Sequence, residues 1–385
     1  MKRLLITLLA ALSLLLPASA ASLVLPAAAQ AKRDPGLFGV VMTPDLAATS
    51  PSVLNSQMAL MARSGVHWLR TGFDWETAEP APGSYNWSQI DVLARTAAAH
   101  RLHLLPVVEF TPRWASSHPS SAWNEYSPSN DAYFAQFMTA LVQRYGPHGQ
   151  FWKTPGVRYL PITAWQIWNE PEGTNYDWRS APWPKTYTAL LKAGYVAVHH
   201  ADRHATVVSG ALVALKCQGC LPWTEAASLY KAGFKHYFDA LAINTFTINP
   251  TSVSGTIDFS LTIVSRVRQV LRRYHDLRKP IWVTELTWPA SLHRINPKYY
   301  DGFETTPAGQ AKRLTAYYTR LATRHPDNIQ RAFWFAWTSP YVPYPVLNGD
   351  VTFQYTGLLK WKPGDAVFQP LPLLKTYARV AHRYG

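Results

Sequence analysis

Two glutamates stand where this chain could do chemistry. Glu170 closes the stretch Ile162-Thr-Ala-Trp-Gln-Ile-Trp-Asn169-Glu170-Pro171, and Glu285 follows Pro280-Ile-Trp-Val-Thr. Each carboxylate ends an apolar run of strand character. A charge in that place is costly unless it has a partner. Two such charges facing one cavity suit general acid–base or nucleophilic work. The alternative is a pair of rim carboxylates that merely bond an arginine or a backbone amide. Glu109, at the end of Leu102–Phe110, is a third inward-facing candidate. The cluster His199-His200-x-Asp202-x-His204 falls at a helix end, where polar residues are common. His-Glu-x-x-His, Walker and Gly-x-Ser-x-Gly signatures are not found. The sequence thus calls for neither a metal nor a cofactor.

The elements that would position these groups alternate along the chain. Strand-like runs are Leu37–Met42, His67–Asp74, Leu102–Phe110, Ile162–Asn169, Thr206–Val213, Ala240–Phe246, Pro280–Thr287 and Gln330–Thr338. Nearly continuous apolar runs suit strands buried on both faces. Between them the spacing predicts helices over Val53–Ser64, Gln89–His100, Asp131–Tyr145, Lys185–His200, Trp223–Lys231, Ile257–Tyr274, Ala308–Arg324 and Asp365–Arg383. Such alternation implies parallel βαβ units. Eight of them point to an α/β fold of one (β/α)8 TIM barrel, residues 32–385, with loop insertions on the catalytic face. An open doubly wound sheet is the runner-up, but Met42-Thr-Pro-Asp-Leu is not the Gly-rich turn it would carry. The stretches Asn175–Pro184 and Ser339–Pro345 read as long loops after the fourth and eighth runs.

Trp168-Asn169-Glu170-Pro171 after the fourth run, with Glu285 after the seventh, resembles the clan of retaining glycoside hydrolases on (β/α)8 barrels, as in the cellulase-like family 5 and the xylosidase-like family 39. Further matches are Arg70, the segment Asp74–Trp87, Thr111-Pro-Arg-Trp114 and Trp337. The resemblance implies that Glu170 is the acid/base and Glu285 the nucleophile. It puts Arg70 beside the nucleophile and Asn169 on the sugar 2-hydroxyl, and it makes Trp337 a sugar platform. A retaining pair needs carboxyls about 5–5.5 Å apart. Where many members of the clan carry His-x-Tyr, this chain reads Asn244-Thr245-Phe246, and phenylalanine cannot donate to the nucleophile. Asn244 or Tyr176 could take over that bond. Failing that, the barrel would be a weakened enzyme that binds carbohydrate or a cell wall. Trp114, Trp123, Trp168, Trp178, Trp183, Trp288 and Trp337 fall in or beside the strand-following loops, where an indole can pack on a pyranose face. About half are expected to be core. Glu109 is expected to hydrogen-bond sugar in the same pocket.

Composition narrows the classes. The chain has 385 residues, 48% hydrophobic, with 16 Trp and 20 Tyr, which excludes disorder. Two cysteines exclude a disulfide-stapled mini-protein. Cys217 and Cys220 are expected to pin a loop. Lys2-Arg3, the apolar run Leu4–Leu16 and Ala18-Ser19-Ala20 form a secretory signal pattern, residues 1–31, cut after Ala20 or Ala31. An uncleaved anchor is the alternative. The expected product is a secreted monomer acting on a poly- or oligosaccharide, with no stable membrane insertion. The formal charge is +14, or +12 without Lys2 and Arg3. Its densest cluster, Arg266, Arg268, Arg272 and Arg273, reads as a solvated helix face rather than a nucleic-acid stripe.

Overall fold

The computed structural model describes residues 36–172, 178–214, 221–245, 253–300, 302–339 and 352–385. The leader, Cys217 and Cys220, Tyr176 and Phe246 lie outside the described residues.

Nine strands form one parallel sheet: β1 (Phe38–Val41), β2 (Trp68–Asp74), β3 (His103–Glu109), β4 (Ala164–Ile167), β5 (Thr206–Val208), β6 (Leu212–Val213), β7 (Leu241–Asn244), β8 (Ile281–Leu286) and β9 (Ile329–Trp334). Their order is β5-β4-β3-β2-β1-β9-β8-β7-β6. A small antiparallel pair, β10 (Leu359–Lys360) and β11 (Gln369–Pro370), follows. The α-helices are α1 (Pro44–Ala47), α2 (Pro51–Arg63), α3 (Trp75–Ala78), α4 (Ser88–Ala99), α5 (Asp131–Tyr145), α6 (Trp183–Ala201), α7 (Pro222–Lys231), α8 (Val253–Arg273), α9 (Pro307–Arg324) and α10 (Pro372–Tyr384). Helix starts follow local chemistry. Ser50, Asn130 and Thr306 accept the N–H groups of Val53, Ala132 and Gly309, which satisfies first-turn donors.

Alternation along the strands separates two buried layers. Val40, Leu69, Leu104, Trp165, Ile167 and Ile243 pack with the helices in the large outer cluster. Val41, Trp68, Leu105, Ala164, Ala242, Trp282, Phe333 and Ala336 form a smaller cluster on the other face, to which the helices contribute nothing. Period-two side-chain direction is the cause. The inner layer is crowded where aromatics meet. A Cβ on Gly39 would lie 2.4 Å from the Phe333 ring, so only glycine fits there.

The fifth expected strand is two strands, and side chains cause the break. Between β5 and β6, the Ser209 hydroxyl accepts the Ala242 N–H at 3.0 Å, and the Tyr187 hydroxyl accepts the Gly210 N–H. These side-chain partners stand where a regular ladder would use backbone. Around the break, Val208 still bridges Ala240 in parallel, and Ser209 N–H donates to the Ala240 carbonyl at 3.0 Å. The strands at the two ends of the sheet order are therefore consecutive in the chain and share β7's approach.

Gly39→Ala should destabilise the fold by about 1–3 kcal/mol through overpacking against Phe333. Chemical denaturation of the variant checks this, and an unchanged midpoint would contradict the inner-layer packing.

Candidate active site

The site is assembled from strand ends around one arginine. Arg70, on β2, is 4% exposed and faces the inner side of the sheet. Its three donor directions all find acceptors. Nη1 donates to Glu285 Oε1 at 2.7 Å, Nη2 to Asn169 Oδ1 at 2.8 Å, and Nε to Gln166 Oε1 at 2.8 Å. The Arg70–Glu285 contact is a buried ion pair. A planar guanidinium with fixed donors suits this task better than an ammonium would.

Asn244, the last residue of β7, joins the two glutamates. Its Nδ2 donates to Glu170 Oε1 at 2.6 Å, and Asn244 is the register partner of Glu285 on the neighbouring strand β8. Thr284 donates to Asn244 Oδ1 at 2.8 Å and so fixes which way the amide points. The amide that holds Glu170 therefore sits beside the strand end that carries Glu285. Burial pushes the Glu285 carboxyl up, while the Arg70 charge, the Arg70 hydrogen bond and the Asn244 amide pull it back. Burial prevails, so the shift is upward.

The backbone after β4 turns sharply to present these groups. Trp168 and Glu170 have φ of 68° and 41°, a left-handed region rare for such residues. The pair brackets Asn169. Strain of this kind persists where surrounding contacts hold it, and here Gln166 Nε2 donates to the Trp168 carbonyl at 3.2 Å. Just beyond, Glu172 is buried and accepts the Val213 N–H, which ties the β4 end to β6.

Glu170, Glu285, Arg70, Asn169 and Asn244 thus come together. The expected aromatics do not. Trp168, Trp288 and Trp337 are fully buried in the outer layer. Trp337 donates its indole N–H to Gln57 of α2 at 3.0 Å, so as placed it offers no open face to a sugar. Trp168 packs edge-on against Trp178, and Trp288 packs against Tyr317. Trp114 is half-buried, with its N–H on the Glu79 carbonyl at 2.8 Å. The half-buried aromatic packed against the inner cluster just past β9 is Phe335, two residues before Trp337. Glu109 ends β3 in register with Asp74 of β2.

Gln166, Thr284 and Phe335 went unnoticed in the sequence. Gln166 carried a usable signal, because a polar residue inside an apolar strand needs a partner. The His199–His204 cluster is structural: His199 contacts Asp239 at 2.9 Å, and Asp239 also accepts the Val207 N–H at 2.8 Å.

Burial, and then the Glu76 charge, raise the Asp74 carboxyl from 3.8 to about 6. Its proton is therefore held more tightly in the fold than in the unfolded chain. The associated stability is present below about pH 4 and is lost as the pH rises through about 6. Asp74→Asn should be more stable than the parent at pH 8, by on the order of 2 kcal/mol, and nearly equal to it below pH 4. Denaturation across that range checks the sign.

No protein-family model and no curated protein matches the chain. Solved structures do. A family 39 glycoside hydrolase from the gut symbiont Bacteroides cellulosilyticus WH2 matches with TM-score 0.60 and 19% identity, over 90% of this chain and 64% of that one. A GH5_18 protein from Bifidobacterium longum subsp. infantis matches with TM-score 0.60 and 13% identity, over 91% and 79%. An exo-beta-1,4-mannosidase from Opitutaceae bacterium strain TAV5 matches with TM-score 0.59 and 15% identity, over 90% and 59%. The chain spans about two thirds of the length of several of these structures. Its fold is similar to that of family 39 and family 5 glycoside hydrolases, as the Asn169-Glu170-Pro171 and Glu285 motifs implied.

Proposed function

We propose that this protein is a retaining glycosidase, with Glu285 as nucleophile and Glu170 as acid/base. The observation that carries the reading is that Asn244, hydrogen-bonded to Glu170, is the register partner of Glu285, whose carboxyl is paired with Arg70. Two carboxyls gathered at the strand ends suit a pair that attacks and protonates across one glycosidic bond, for which a retaining enzyme needs about 5–5.5 Å between them. In the first step Glu285 attacks the anomeric carbon while Glu170 protonates the leaving oxygen. In the second, Glu170 takes a proton from water as the water oxygen attacks the anomeric carbon, and the bond to Glu285 breaks to release the sugar. Arg70 would keep a charged partner on Glu285, and Asn169, oriented by its bond from Arg70, would serve the 2-hydroxyl.

The sheet is proposed to be a closed eight-stranded barrel in which β5 and β6 are one interrupted strand. The Val208–Ala240 bridge supports that closure. Residues 1–31 are proposed as an export leader, which would place the enzyme outside the cell as a monomer acting on a poly- or oligosaccharide. The leader's three-part pattern supports export.

A second reading, a barrel that binds carbohydrate with weakened turnover, draws on the same amide. A donor favours the charged form of a carboxyl, whereas the acid must carry a proton. Asn244 stands where the clan often has histidine.

Glu170→Gln and Glu285→Gln should each lower hydrolysis of aryl β-xylosides, β-mannosides or β-glucosides by at least about a hundred-fold. Azide should restore turnover to Glu285→Gly. Full activity in either Gln variant would sink the assignment. For a nucleophile that must be ionised, activity is lost as the pH falls through its pKa. Arg70→Met removes the groups that oppose burial at Glu285, so the acidic limb of the kcat/KM profile should move to higher pH. A limb that stays in place, in a variant shown by melting to be folded, would separate Arg70 from Glu285 ionisation.

A further inference from the structure

Seven tryptophans fall in or beside the strand-following loops, and the structure treats one of them differently. Trp168, Trp178, Trp288 and Trp337 are fully buried, and Trp114 and Trp183 pack half-buried against the outer layer. Trp123 is 56% exposed. A lone exposed aromatic needs no explanation in itself. What marks Trp123 is how firmly it is held.

The Arg179 guanidinium lies over the indole, 4.3 Å from its centroid. Arg179 is itself fixed, with Nε on Glu125 Oε2 at 3.2 Å and its backbone N–H on the Glu125 carbonyl at 3.0 Å. On the other side, the Asn124 carbonyl accepts the Thr111 N–H at 2.8 Å, and the Asn124 amide donates to Glu76 Oε2 at 2.7 Å. The Trp123 backbone N–H is on Ser121 Oγ at 3.1 Å. The ring is therefore ordered before any ligand arrives, with a guanidinium on one side. Ordering an aromatic in advance removes part of the entropy cost of binding.

Position and charge identify what it would hold. Thr111 stands two residues past the β3 end, and Glu76 lies in α3 directly after β2. Arg179 lies between β4 and α6, on the connection that begins with Asn169 and Glu170. Trp123 thus stands on the rim over β2–β4, on the Glu170 side of the pair. A leaving group protonated by Glu170 departs on that side. Glu125 matches the Arg179 charge, so the clamp presents an apolar face without a net charge. That suits the C–H face of a neutral pyranose and not an anionic ring.

We propose that Trp123, clamped by Arg179, is an outer subsite that stacks a neutral sugar ring in the leaving-group half of the cleft. The proposal rests on the glycosidase reading and makes oligosaccharides rather than simple aryl glycosides the preferred substrates.

Two measurements on the full chain test it. The first compares kcat/KM for a β-1,4-linked trisaccharide of xylose, mannose or glucose with that for the aryl glycoside of the same sugar. Trp123→Ala should lower the ratio of trisaccharide to aryl glycoside about ten-fold, chiefly through KM, and Trp123→Phe should restore most of it. The second is calorimetric binding of the three trisaccharides and their monosaccharides to Glu285→Gln, with and without Trp123→Ala. The gain of trisaccharide over monosaccharide should be lost with the indole. Hydrolysis with an unchanged ratio overturns the subsite and leaves the glycosidase reading standing. Indole-dependent trisaccharide binding without hydrolysis by the parent overturns the glycosidase reading and with it the leaving-group assignment, leaving Trp123 as a sugar-binding platform only. Absence of any indole-dependent effect in both measurements overturns the subsite outright.

Discussion

A cation held inside the curl of a sheet dictates much of this structure. Arg70 is almost wholly removed from water, and an unpartnered charge there would cost several kcal/mol. Its partners come from separate places: Gln166 from β4, Asn169 from just beyond β4, and Glu285 from β8. Satisfying one guanidinium therefore fixes the heights at which β2, β4 and β8 meet. A buried ion pair of this kind adds little stability compared with well-packed apolar residues. What it does is draw Glu285 and Asn169 to the strand ends where Glu170 and Asn244 also meet.

Around that pair, space is apportioned by side-chain size. The inner layer combines Ala164, Ala211, Ala240, Ala242 and Ala336 with a few large rings, Trp68, Trp282 and Phe333. Trp68 and Trp282 meet edge to face at 5.5 Å, and the Arg331 guanidinium sits about 5 Å from both rings. Polar groups gather at the opposite, C-terminal ends of the strands, where the rings give way. The strand direction shared by all nine members makes this segregation possible, because every C-terminal end opens on one side.

Much of this was legible in the chain. Asp131–Tyr145 matches α5 residue for residue, and the strand runs overlap every observed strand of the large sheet. Glu170 and Glu285 were legible because a charge at the end of an apolar run has few places to go, whereas Arg70, Asn169 and Asn244 were picked out by the family resemblance. The tryptophans were not. An indole is equally at home in a core and on a sugar, and residue type alone does not say which face of a strand it takes. Phe335 and Trp337 show the difficulty: they lie two apart, beyond the strict alternation of β9, and only Phe335 packs against the inner layer. The break between β5 and β6 was hidden for another reason. It depends on Tyr187, which lies about twenty residues away on α6.

That tyrosine has a wider consequence. Its hydroxyl donates to the Ile167 carbonyl at 2.9 Å and accepts from Gly210, so it acts as a surrogate peptide group wedged between two strands. Burial pushes its phenol well up, and the proton stays where the bridge requires it. Ile167 stands three residues before Glu170. The seam next to Glu170 is therefore set by the torsion angles of one side chain from the helical shell. Repacking of α6 against its neighbours would be felt at Glu170, although no residue of α6 needs to reach that carboxylate.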